Sequence, residues 1–321
     1  MSPIEEIQNS YINRPSKIRA NIPQITVFAI FVVLIAVTLI FPSTQSPKGT
    51  IIFASTLSLL TILFAAGLYF TRKNPQKTTD LFLILGLVVL IWDLATHFNL
   101  VDTYLFPTPE SVFAVYSRDY PTIITGIFSS LSIICTGYLL ALILAIPIGL
   151  VIGWKKRVYN VAYPIAKVAS PIPPIVYMPY AIALLPTFFI SSTFLIFIGA
   201  FWPILVGVIY GVFNIDHRIL NSAKTLGLDE ITIMRKILLP ASMPSIFSGA
   251  LIGLILTFIT LTAAEIVGAS SGIGWYIQYQ SGFANYDAVA AGMIILALVV
   301  IFLTVIFDKV QNYVLRWQNT N

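Results

Sequence analysis

Apolar residues in this chain come in long runs separated by short polar stretches. A membrane-crossing helix needs about 20 mainly apolar residues. Eight runs approach that length, near residues 25–42, 50–70, 81–98, 125–153, 163–185, 190–213, 245–267 and 288–307. The longest polar interruption in the second half is Asn221 to Pro240, NSAKTLGLDEITIMRKILLP. It holds Lys224, Asp229, Glu230, Arg235 and Lys236, with Asp216, His217 and Arg218 just before it. Gly227 sits where a first short helix stops, because glycine takes a left-handed position after a helix without strain. Asp229 is placed to cap a second helix running to Leu239, and Pro240 with Pro244 marks the next boundary. The first helix puts Ile219, Leu220, Ala223 and Leu226 on one face. The segment therefore reads as two short amphipathic helices outside the bilayer, whose apolar stripe is offered either to the lipid surface or to a groove on a partner.

Composition sets the class. Of 321 residues 58% are hydrophobic and 10% are charged, and the mean hydropathy is +0.90; an ordinary soluble domain carries about 25% charged residues. The expectation is an all-α, polytopic membrane protein with about eight transmembrane helices. The net charge of +5 is spread over separate short loops, which speaks against nucleic acid as a partner. The single cysteine, Cys135, lies in an apolar run and reads as an inert packed thiol. The first 24 residues are polar, and no small-residue cleavage site follows the first apolar run, so no signal peptide is expected.

The charges orient the runs. Arg14, Lys17 and Arg19 precede the first run; Arg72, Lys73 and Lys77 follow the second; Lys155, Lys156, Arg157 and Lys167 follow the fourth. Arg218, Lys224, Arg235 and Lys236 follow the sixth, and Lys309 and Arg316 close the chain. With eight spans all of these fall on one face, and only Lys48 and Arg118 of the 18 Lys and Arg fall on the other. Basic residues concentrate in cytoplasmic loops. Both termini and the 221–240 loop are thereby expected in the cytoplasm.

The loop resembles one in the permease subunits of bacterial ABC importers, of the form E-A-A, three residues, G, nine residues, I-x-L-P. Here Asn221-Ser222-Ala223, Gly227 and Ile237-Leu238-Leu239-Pro240 meet the spacing, with Asn221 and Ser222 in place of Glu and Ala. From about Leu81 onward the chain resembles the permeases of the nitrate, alkanesulfonate, taurine and bicarbonate importers. Trp92-Asp93 with Phe106 to Val112 is similar to that family's W-E and L-P-S-P-x-x-V opening. Ile172-Pro173-Pro174 through Met178-Pro179 is similar to its I-P-P-L-A-x-x-P run. Thr262-Ala263-Ala264-Glu265 with Gly268, Gly272 and Gly274 is similar to its A-E-x-x-G-x-x-x-G-x-G segment, and Trp317 to its closing tryptophan. The resemblance implies a cytoplasmic tail over 1–24, two additional helices over 25–78, and a six-helix permease domain over 79–321 whose coupling loop spans 214–240. It assigns Asn221, Ser222, Ala223, Gly227, Ile237, Leu239 and Pro240 to contact with an ATPase subunit.

Other residues bear on transport. Pro164, Pro171, Pro173, Pro174 and Pro179 crowd the fifth run. Each lacks an N–H and obstructs the preceding turn, so a kinked or broken helix is expected there. Freed carbonyls at membrane depth need protein or water beside them, which places Pro173, Pro174 and Pro179 at the translocation pathway, against the plainer reading of a structural kink. Asp93 and Glu265 lie at the ends of apolar runs. Asp93 reads as a satisfied acid. Glu265 reads either as part of a gate or as a carboxylate bonded to the adjacent Gly- and Ser-rich turn. Glycine pairs at 149/153, 207/211 and 249/253 suit close helix crossing, within the subunit or across a dimer. Aromatic residues at Trp275, Tyr276, Tyr279, Phe283 and Tyr286 form an interface belt or meet a binding protein, and Asn99 to Pro121 is a second candidate surface.

Enzymatic readings find no footing. No G-x-x-x-x-G-K-[ST] loop is present, and Gly268 to Gly274, GASSGIG, follows a membrane run rather than a strand. His97 and His217 fall on opposite faces of the expected topology, which leaves no metal cluster. The expectation is a multi-pass permease subunit of the bacterial plasma membrane, with no cofactor of its own. ATP and Mg²⁺ would lie on two separate ATPase subunits, a solute-binding protein would deliver a small anion, and a second copy would complete a homodimer. The alternative is a carrier driven by an ion gradient, which calls for repeat-related broken helices and an intramembrane ion site.

Overall fold

The computed structural model describes residues 17–40, 47–70 and 75–317, with side chains from Ile22 on. Arg14, Arg72 and Lys73, and the expected tail before Lys17, lie outside the described residues. Among the described residues every regular element is helical: α1 Lys17–Ile40, α2 Pro47–Phe70, α3 Pro75–His97, α4 Pro109–Arg118, α5 Tyr120–Trp154, α6 Lys156–Ala169, a 3-10 turn Pro174–Tyr177, α7 Met178–Leu184, α8 Phe188–Phe213, α9 His217–Thr225, α10 Glu230–Ile233, a π segment Met234–Leu238, α11 Leu239–Gly268, α12 Ile273–Gly282 and α13 Tyr286–Val314. Among the described residues seven helical stretches are long and apolar enough to cross a membrane: α1 from Ile22, α2, α3, α5, α8, the continuous Glu230–Gly268 and α13.

The eighth expected crossing, near 163–185, is not one helix. It is α6, the 3-10 turn and α7, separated at residues 170–173. Pro171, Pro173 and Pro174 supply no N–H to continue α6, so the chain turns, with the Ile172 N–H reaching Ala169 O at 3.2 Å and the Val176 N–H reaching Pro173 O at 3.1 Å.

The chain forms two compact units, one reaching to Tyr120 and including Asn285–Ala291, the other holding Pro121–Ala284 and Gly292–Asn321. In the first unit α1 packs on α2 and α3, and α2 on α4. Aromatic rings fill the space between the first three, with Phe64 lying 5.0 Å from Phe28 and 5.2 Å from Phe82 between ring centroids. Gly49, at the start of α2, lies so close to the Glu110 carbonyl of α4 that a Cβ could not be accommodated. The Trp92 indole donates to Pro107 O at 2.9 Å, and Thr108 caps α4 by accepting from the Ser111 N–H. Asp93 differs from the satisfied acid expected: it is buried, but its Oδ2 has no hydrogen-bond partner. Its titratable neighbours are Glu110 and His97.

In the second unit α8 and α11 form the central pair. Lipid tails are as apolar as the helices, so association there rests on close packing of small residues rather than on hydrophobic burial. A Cβ on Gly207 would come within 3.0 Å of the Gly249 Cα, and one on Gly253 would meet the Ala200 backbone. Gly149 and Gly153 receive Val208 and Val212 in the same manner, which joins α5 to α8. All three expected glycine pairs thus serve crossings inside this chain. The Tyr138 hydroxyl ties α5 to α11 by donating to Ala250 O at 2.8 Å. Cys135 departs from the expected packed thiol: it is exposed and lines a cavity bordered by residues of α5, α11 and α13.

Candidate functional site

The polar loop is built from its caps. Asp216 opens α9 by accepting from the Arg218 N–H at 2.8 Å, and its other oxygen pairs with the Arg218 guanidinium at 2.8 Å. These contacts hold the Asp216 carboxyl below its ordinary range. α9 ends in a Schellman motif: the Gly227 N–H bonds Lys224 O at 3.0 Å and the Leu228 N–H bonds Ala223 O at 3.3 Å. Gly227 has φ +71°, as this motif requires, and nothing lies within 4 Å of where its Cβ would be. Asp229 then caps α10 by accepting from the Thr232 N–H at 3.2 Å, which lowers its pKa.

The second short helix does not stop at Pro240. α10 runs through the π segment into α11, and the Leu239 N–H bonds Met234 O, five residues back. Proline clashes with the carbonyl four residues before it. The wider turn relieves that clash and lets the helix continue, so Pro240 and Pro244 lie inside a 39-residue helical stretch, Glu230–Gly268.

The structure brings the predicted loop residues together but gives them different orientations. Ala223 is buried, and Leu220, Ile237 and Leu239 are partly buried against the core of the second unit. Asn221, Ser222, Gly227 and Pro240 are exposed. The expected single apolar face of α9 is divided: Leu220 and Ala223 turn inward, while Ile219 and Leu226 are 51% and 78% exposed. Sequence reasoning missed the two anchors, Ile233 and Leu238, both fully buried. It also missed Leu228 and Ile231, which are exposed.

The proline-rich segment lies against α8 and α11. Pro174 is buried so close to Gly199 that a Cβ there would meet its ring at 2.7 Å, while Pro173 and Pro179 are exposed. A cavity of about 130 Å³ opens beside it, lined among others by Ser170, Pro173, Thr260 and Ala263.

Glu265 stands near the far end of α11, about 39 Å from Leu239 at 1.5 Å per residue. It is buried; Ser130 Oγ donates to its Oε1 at 2.6 Å and the Gly274 N–H to its Oε2 at 2.7 Å. Ser130 in turn accepts from the Ile273 N–H at 3.0 Å. The carboxylate therefore caps the start of α12, and it fills the space a side chain on Gly272, φ +133°, would need. Ser129 and Ser271 join at 2.9 Å beside it. Ser130 was not singled out from the sequence, being one serine of many in an apolar run.

Comparisons with known proteins bear on the family and the fold. Residues 145–319 match the family model described as binding-protein-dependent transport system inner membrane component. A protein of Methanocaldococcus jannaschii described as an ABC transporter permease is 32% identical over 222 residues, covering 67% of this chain and 82% of that protein. The taurine transport system permease protein of Escherichia coli is 26% identical over 251 residues, 76% of this chain and 91% of its own length. A nitrate import permease protein of Synechocystis is 34% identical over 173 residues, 54% of this chain and 61% of its own. In fold the chain is similar to the inward-facing MetNI methionine ABC transporter, with a TM-score of 0.54 at 20% identity, covering 61% of this chain and 98% of that one. A family match over more than half the chain, a helical loop at the family's motif spacing and seven membrane-length helices lead to one conclusion: this chain belongs to the inner-membrane permease components of ABC importers.

Proposed function

We propose that two copies of this chain form the passage for a small anion, such as a sulfonate, nitrate or bicarbonate, delivered by a solute-binding protein on one face. Two separate ATPase subunits grip the loop from Asn221 to Pro240 on the other face, and ATP-driven closure of those subunits moves the loop. One chain supplies one loop, so two ATPase subunits need two copies. The observation that carries this reading is the division of the loop. It is anchored by Ala223, Ile233 and Leu238 and presents Ile219, Leu226, Leu228 and Ile231 to the outside. A rigid helix end with exposed apolar residues suits helix-in-groove recognition.

The same reading gives the chain eight crossings, with α6 and α7 together making the fifth, and both termini in the cytoplasm. The concentration of Lys and Arg on one face supports it. Pro173, Pro174 and Pro179 border the pathway, a placement supported for Pro173 and Pro174 by the cavity they line. Glu265 holds the 268–274 turn at the pathway's outer mouth, and ATP and Mg²⁺ bind only the ATPase subunits. The relatives named for taurine and nitrate favour a small anion as the solute.

Co-purification tests the reading. The tagged chain, extracted in mild detergent from its native cells, should retain an ATPase subunit in equal number. A chain that transports in proteoliposomes without any ATPase would instead be a gradient-driven carrier.

A further inference from the structure

A cavity of about 400 Å³ opens between the coupling loop and the ends of two membrane helices. Trp154 and Phe213, the last residues of α5 and α8, line it, as do Leu220 and Lys224 of α9, Lys156 and Glu230. It thus lies where membrane helices end, at the level of lipid headgroups. The Lys224 ammonium sits 5.3 Å from the centre of the Trp154 ring, which holds that charge at the cavity wall. Lys156 is the first residue of α6, and α6 begins without a side-chain cap from Lys155. His217 lines it too, and two lysines against one glutamate leave the lining with a net charge of at least +1. That charge matches a ligand with one negative charge, and the mixed lining matches a ligand with a polar head and an apolar body.

We infer that this cavity binds the headgroup of an anionic phospholipid, of which phosphatidylglycerol is the probe. The phosphodiester takes Lys156 and Lys224. A glycerol hydroxyl donates to the Glu230 carboxylate, and the acyl chains leave along the apolar ends of α5 and α8. Basic pockets between membrane helices are suited to such headgroups. Zwitterionic phosphatidylcholine and phosphatidylethanolamine carry no net charge to match. The inference goes beyond the transport reading and does not depend on it.

The test uses the full chain purified in an uncharged detergent. Bound lipid is counted by native mass spectrometry, and melting is followed with added phosphatidylglycerol, phosphatidylcholine, phosphatidylethanolamine or free glycerol 3-phosphate. Phosphatidylglycerol alone should be retained one per chain and raise the melting temperature. Lys156→Gln with Lys224→Gln should weaken its affinity about tenfold or more, since charge-assisted contacts to phosphate are lost, and Lys156→Arg with Lys224→Arg should restore it. Equal shifts from phosphatidylcholine, or an undiminished shift in the double glutamine variant, would overturn the site. An equal shift from glycerol 3-phosphate would overturn the lipid assignment. ATPase co-purification is measured on the same samples, so loss of lipid and loss of coupling are read separately.

Discussion

Ser130 and Glu265, 135 positions apart, share a hydrogen bond of 2.6 Å that fastens the end of α11 to α5. The same carboxylate receives the Gly274 N–H, so one side chain holds two helices and the start of a third. Glutamine keeps an acceptor for Ser130 but turns an N–H toward the Gly274 N–H. Leaving a buried donor unpaired costs about 1–3 kcal/mol. Glu265→Gln should therefore lower the melting temperature in detergent. Ser130→Ala should do the same, and the double variant should cost less than the two together. Full additivity would deny the coupling.

Gly227 needs its left-handed conformation and nothing else, since the space around it is open. Alanine there costs about 1–2 kcal/mol from the backbone alone, and asparagine less. Gly227→Val should leave membrane insertion intact and reduce uptake in cells, with Gly227→Asn between it and the native protein. Unchanged uptake in the valine variant would remove the loop from coupling.

Leu226, 78% exposed, makes no contact within the fold that would make its loss costly. Leu226→Asp should change stability by no more than about 0.5 kcal/mol. It should abolish retention of the ATPase subunit in a pull-down, because a charge in an apolar groove is strongly unfavourable.

Acid should loosen the start of α9. Arg218 keeps the Asp216 pKa below its unfolded value, so the stabilisation is present above the unfolded pKa and is lost as pH falls through the folded one. The protection factors of the amides of Arg218 to Leu220, taken relative to the intrinsic exchange rate at each pH, should fall on going from pH about 5 to about 3. Asp216→Asn retains a cap without the titrating group and should remove most of that dependence.

Much of this was legible in the chain because it rests on local chemistry. Gly227 followed by Asp229 encodes one helix end and the next cap, and five prolines encode a broken crossing. The small-residue pairs encoded close crossings, though not which helix fills each gap. The continuation through Pro240 was hidden, because the rule that proline ends a helix assumes the ordinary turn, and a π turn evades it. The exposure of Cys135 was hidden because an apolar run does not say which of its faces meets protein. The partners of Glu265 were legible only in part: the nearby turn was, and Ser130, across another helix, was not.

The central claim is that the loop is gripped by a separate ATPase on the cytoplasmic face. Its most direct test is a single cysteine at position 226, Leu226→Cys, in a Cys135→Ala background. In intact cells it should resist a membrane-impermeant thiol reagent, and in membranes it should cross-link to the ATPase subunit. Labelling from outside, with no cross-link, would contradict the account.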